Sequence, residues 1–169
     1  MKKILWWVFA FAMLGAIVSS CKDDEDEVSD QVSKVRKNKE DGEAYLKEKG
    51  SKTDVLADPS GLLYSIVTKG DGERPGVNDT VTITYTGKTI RDSVFVSMTE
   101  TIAVADLTEG LQIGVRHMPE GSNYKLYIPY YLMYGSSSTT FKYEGKNITV
   151  MPYSALIYDM KLDAVIKTE

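Results

Sequence analysis

From residue 81 to 86 apolar and hydroxyl side chains alternate, with Val81, Ile83 and Tyr85 on one side and Thr82, Thr84 and Thr86 on the other. Period two marks a strand with one face in a core and one in water. Tyr124, Leu126 and Ile128 alternate in the same way before Pro129, and Leu156, Tyr158, Met160 and Leu162 do so near the end, with Ile157, Asp159 and Lys161 opposite. Leu62 to Thr68 is a shorter β-prone run, closed by the turn signals Lys69-Gly70-Asp71-Gly72 and Pro75-Gly76. Between these runs the spacing changes: Leu107, Leu111, Val115 and Met118 lie along one face of a short helix that Pro119 and Gly121 end. The pattern predicts an α+β domain over residues 61–169, a curved antiparallel sheet of about five strands wrapped on one short helix.

The first twenty-one residues read differently. Lys2 and Lys3 precede an uncharged run from Ile4 to Val18, shorter than the ~20 residues of a membrane span and suited to the core of a signal peptide. The run ends in Val18-Ser19-Ser20-Cys21, which resembles the lipobox of bacterial lipoproteins. That resemblance implies removal of residues 1–20, acylation of Cys21 (palmitate or a similar chain) and a place in the cell envelope, anchored to the outer membrane. An ordinary secretory signal with a Cys there by chance is the alternative. Each buried CH₂ of an acyl chain contributes ~0.8 kcal/mol, so several chains hold a protein on a membrane durably.

Lys22 and the acids Asp23-Asp24-Glu25-Asp26-Glu27 follow, a like-charge block expected to stand off the membrane as a disordered spacer. It also resembles the signal that carries some Gram-negative lipoproteins to the outer face of the outer membrane. Val28 to Lys49 predicts a short solvated helix, broken near Gly42 and stopped at Gly50, with too few apolar heptad positions for a coiled coil. Residues 21–60 are thus expected to be an acidic tether with a charged helix.

Charge and rare residues narrow the chemistry. Lys+Arg is 20 against Asp+Glu 24, which gives no basic patch and no reason to expect nucleic acid. Loss of residues 1–20 would remove two lysines and no acid, leaving 18 bases against 24 acids. Both Trp lie in the discarded segment, so the mature chain has none. One Cys excludes an intramolecular disulfide, and one Cys with one His cannot build a Cys/His metal site.

Several segments together resemble the FKBP family of peptidyl-prolyl isomerases: Tyr85-Thr86-Gly87, Gly110 and Gly114 in the helix, and Leu126-Tyr127-Ile128-Pro129 with Tyr134-Gly135. Ser60-Gly61-Leu62-Leu63-Tyr64 looks like the first strand of bacterial members, and Ala155 to Leu162 fits the last. The resemblance covers residues 61–167 and implies isomerisation of X–Pro bonds in proline-containing segments of exported proteins. The barrier to that rotation is ~18–20 kcal/mol. It falls when an apolar cleft desolvates the amide and favours the twisted, less polar state, which needs no nucleophile, metal or cofactor. The alternative function is a non-catalytic peptide-binding, chaperone-like module on the same fold. Oligomeric state is not legible in the sequence.

Position by position, the resemblance implies that Tyr85 and Phe95 are aromatic walls, that Leu107 and Thr108 open the helix with the second lending a backbone N–H, and that the Tyr134 hydroxyl bonds a substrate carbonyl. Tyr158 stands where the family usually has Phe, and Leu111 where it usually has Trp at the pocket floor. Val96 takes the place of an Asp, the stretch from Tyr85 to Leu107 is shorter than usual, and that from Gly135 to Tyr158 is longer. Trp to Leu removes ~1–2 kcal/mol of contact with a prolyl ring, so weak activity is expected. His117 is expected to face solvent or cap its helix rather than act as a base.

Overall fold

A computed structural model describes residues 23–168. The signal segment and Cys21 lie outside the described residues. The chain forms two compact units, one reaching to Lys34 and one from Val35 onward.

Helix α1 (Asp23–Gly50) is continuous through both of the features expected to interrupt it. The backbone is helical from Asp23 on, where a disordered spacer was expected. Gly42 does not break the helix but is buried within it. Its physical role is close approach: a Cβ there would lie 3.1 Å from the Ala155 Cβ and 3.3 Å from the Ala155 N. In the first unit Lys34 pairs with Asp30 along the helix, at a side-chain separation of 2.5 Å.

In the second unit a six-stranded sheet has the order β1-β2-β5-β8-β3-β4, antiparallel throughout. Its strands are β1 (Leu56–Ala57), β2 (Leu63–Thr68), β3 (Thr80–Thr89), β4 (Val94–Ala103), β5 (Asn123–Ile128) and β8 (Leu156–Ile166). A separate hairpin, β6 (Thr139–Tyr143) and β7 (Lys146–Val150), occupies the long stretch after Gly135. Glu144 and Gly145 form its two-residue turn, both with positive φ (47° and 76°), which matches the right-handed twist of the strands they join.

The alternation read from the sequence holds. Val81, Ile83, Leu126, Ile128, Met160 and Leu162 are fully buried on the inner face. The threonines between them face out and pair across β3 and β4, with Thr82–Thr101, Thr84–Thr99 and Thr86–Ser97 oxygens 2.8–2.9 Å apart. Helix α2 (Glu109–His117) covers the inner face through Leu111, Val115 and, just past its end, Met118. Gly110 and Gly114 bring it close to the sheet, because a Cβ on either would overlap Ile128 and Leu126 respectively.

The outer face is not simply solvated. Tyr127 and, opposite it in the ladder, Ile157 are buried there, at 8% and 6% exposure, and Tyr127 lies against the second half of α1. Tyr45 packs on Tyr127 with ring centroids 6.3 Å apart, and Asn38 Nδ2 donates to the Pro152 carbonyl (2.7 Å) and Ser154 Oγ (2.9 Å). Asn38, Gly42, Tyr45 and Lys49 sit at helical spacing, a docking stripe with almost no aliphatic residue.

Candidate active site

Three neighbouring strands bring the aromatic walls together. Gly87 of β3 stands opposite Val96 of β4 on one side and Tyr158 of β8 on the other. A Cβ at Gly87 would meet Val96 Cγ1 at 2.7 Å, Phe95 Cζ at 2.8 Å and Tyr158 Cζ at 3.0 Å, so only glycine leaves room for the rings. A register shift just after Gly87 turns Phe95 inward, to 1% exposure. Phe95 meets Tyr158 edge-on at 5.9 Å, and Tyr85 meets Tyr158 at 5.8 Å.

Other elements close on this cluster. Phe141 of the β6–β7 hairpin packs on Phe95 at 4.9 Å and on Tyr134 at 5.8 Å. Leu107 and Leu111 are buried beside them in the same core. Thr108 sits at the N-terminus of α2 in an extended conformation; its hydroxyl donates to Met133 Sδ at 3.2 Å instead of capping the helix. The Thr108 N–H has no hydrogen-bond partner among the described residues, which leaves it available to an incoming carbonyl. All seven residues singled out in the sequence (Tyr85, Phe95, Leu107, Thr108, Leu111, Tyr134 and Tyr158) therefore lie in or against one region.

The phenols are set as neutral donors. Burial pushes the Tyr158 phenol far up, and its neighbour Tyr134 adds to the shift. Tyr134 is likewise raised by burial. Tyr85 is raised first by burial and then by donating to Glu100 Oε1 at 2.7 Å. A protonated phenol at neutral pH can donate to a carbonyl and cannot serve as a base. The arrangement can thus hold an apolar ring among aromatics and fix a carbonyl.

Glu100, Phe141 and Met133 were not anticipated. Phe141 had a legible signal: Thr139 to Tyr143 and Lys146 to Val150 are β-prone runs around Glu144-Gly145, a hairpin pattern. Glu100 had none, since its partnership with Tyr85 depends on β3–β4 register. His117 needs correction: rather than facing solvent or capping α2, it bonds Asp58 Oδ2 through Nε2 at 2.8 Å and stacks on Tyr64 at 4.9 Å. A concavity lined by Gly42, Leu46, Gly61, Pro129, Tyr130 and Tyr131 among others lies against α1, and none of the seven residues lines it.

Comparisons with known proteins agree with this geometry. The profile described as FKBP-type peptidyl-prolyl cis-trans isomerase matches residues 72–163, more than half of the chain, and that of the domain amino terminal to such isomerases matches residues 13–66. The chain is 33% identical over 133 residues to a probable FKBP-type peptidyl-prolyl cis-trans isomerase FkpA of Neisseria meningitidis, covering 76% of this chain and 46% of that protein. It is 37% identical over 110 residues to the outer membrane protein MIP of Legionella longbeachae, covering 62% of this chain and 47% of the relative. The chain thus spans about half the length of these relatives. Among solved structures, FkpA of Escherichia coli superposes with a TM-score of 0.73 at 24% identity, over 86% of this chain and 67% of that one. Profile, relatives and fold agree, and the chain belongs to the FKBP-type peptidyl-prolyl cis-trans isomerase family.

Proposed function

We propose that the protein is a peptidyl-prolyl cis-trans isomerase of low activity, tethered by a lipid on Cys21 and acting on proline-containing segments of exported proteins in the cell envelope. The observation that carries the activity is the aromatic cluster beside the unpartnered Thr108 N–H. Tyr85, Phe95, Leu107, Leu111 and Tyr158 receive the prolyl ring, while Thr108 N–H and the Tyr134 hydroxyl hold the flanking carbonyls. In this reading a prolyl ring seated among these side chains leaves its amide desolvated, and loss of conjugation costs less there than in water. Leu111 gives the ring a smaller floor than Trp would, which lowers affinity by about tenfold, or ~1–2 kcal/mol.

Support for the envelope address comes from the lipobox-like segment ending at Cys21 and from a Legionella longbeachae relative named as an outer membrane protein. Residues 1–20 are the signal in this reading, residues 21–60 join the lipid to the sheet, and residues 61–169 carry the site. Among the described residues no helix is long and apolar enough to cross a membrane.

A second reading, a binding module without catalysis, is favoured by one observation: Phe141 already packs on Phe95 and Tyr134. A protease-coupled assay over a panel of Xaa-Pro peptides separates the two. Exchange at the uncatalysed rate for every peptide removes the isomerase reading. Leu111→Trp should raise prolyl-peptide affinity, and Cys21→Ala should release the protein from membranes.

A further inference from the structure

On its concave side β4 should carry apolar residues, as β3 does. It carries Glu100 directly across from Ile83, which is fully buried, and residues opposite one another in an antiparallel pair share a face. Oε1 of Glu100 accepts the Tyr85 hydroxyl at 2.7 Å. Oε2 has no hydrogen-bond partner, and no basic group lies within ion-pairing distance of either oxygen, among the described residues. Oε2 is not among the buried polar atoms lacking a partner, so it is open to an incoming donor.

The bases of the β3–β4 connection are committed elsewhere. Lys88 pairs with Asp159 at 2.9 Å and Arg91 with Asp41 at 3.0 Å. Lys142 alternates with Phe141, whose ring faces the cluster, so Lys142 points away from it. The segment from Val104 to Glu109, which carries Leu107 and Thr108, adds two exposed acids, Asp106 and Glu109, and no base. Beside Glu100 on the same face, Met98 stands opposite Tyr85 and is 43% exposed. A carboxylate with an open lone pair next to an exposed thioether suits a side chain with an apolar stem and a cationic head.

Resting on the isomerase reading, we propose that Glu100 and Met98 form a subsite for a lysine or arginine side chain next to the bound proline, so that the protein prefers basic prolyl segments. The full chain is assayed at low salt on peptides that differ only in Lys, Leu or Glu before the proline. The Lys peptide should exceed the Glu peptide in kcat/KM by about fivefold or more. Glu100→Gln should bring the two within about twofold, and Glu100→Lys should reverse their order. Salt should compress the wild-type ratio, a readout that needs no variant. Equal rates in the wild type, or a Lys preference indifferent to salt and to both substitutions, would overturn the subsite. If no peptide is turned over, the isomerase reading fails. The Lys-to-Glu ratio of Kd, measured from tyrosine ring shifts by NMR, then still decides the subsite: a preference keeps it and parity removes it.

Discussion

The two faces of the central sheet are covered by helices of different kinds. On the inner face α2 presents Leu111 and Val115, and its two glycines let the backbone ride against Ile128 and Leu126. On the outer face α1 presents Asn38, Gly42, Tyr45 and Lys49, and docks through an amide, a glycine contact and tyrosine rings. The inner contact removes apolar area from water and should dominate stability. The outer one is a polar, aromatic fit whose worth lies more in placement than in energy.

Truncations test that ranking. Phe95→Ala, at the centre of the inner aromatic cluster, should cost ~3–5 kcal/mol, read from the urea midpoint. Gly87→Ala inserts one carbon against three side chains within 3.0 Å and should cost ~1–3 kcal/mol, with prolyl-peptide affinity falling as the rings shift. Tyr45→Ala, on the outer face, should cost only ~1 kcal/mol. A loss there equal to that of Phe95→Ala would erase the difference between the faces.

The smallest effect concerns a polar contact at the rim of the inner face. Hydrogen bonds from Ser60, and then His117, hold the Asp58 carboxyl at about 2, below its ordinary value. The folded chain therefore takes up that proton later than the unfolded chain does. The pair's contribution is present above about pH 4 and is lost as pH falls toward 2. Asp58→Asn should flatten the acid limb of stability in that window and leave the neutral-pH curve shape unchanged. An identical acid limb in the variant would show that the contact contributes nothing.

The inner face was legible because its signal is periodic. Val81, Ile83 and Tyr85 announce a strand, and Leu107, Leu111, Val115 and Met118 announce the helix above it. The outer face was not, because Asn38, Gly42 and Lys49 are residues that a hydropathy pattern assigns to solvent. Gly42 even reads as a break, although its value is the close approach to Ala155. Within the site, the seven residues drawn from the family resemblance fall in one region. Glu100 escaped because strand register is a long-range property, and no window of sequence around it reveals Tyr85 as its partner.

The strand order has a consequence for the birth of the protein. β8 is flanked by β5 on one side and β3 on the other, so the middle of the sheet is made after every other strand. Until residues 156–166 leave the ribosome, β1-β2-β5 and β3-β4 are two half-sheets with no seam between them. The sheet cannot close before β8 is available, so the cooperative step comes after its synthesis. A keystone strand that comes last in the sheet's chain order is a built-in delay: the two halves of the aromatic cluster, Tyr85 with Phe95 and Tyr158, meet only when it arrives.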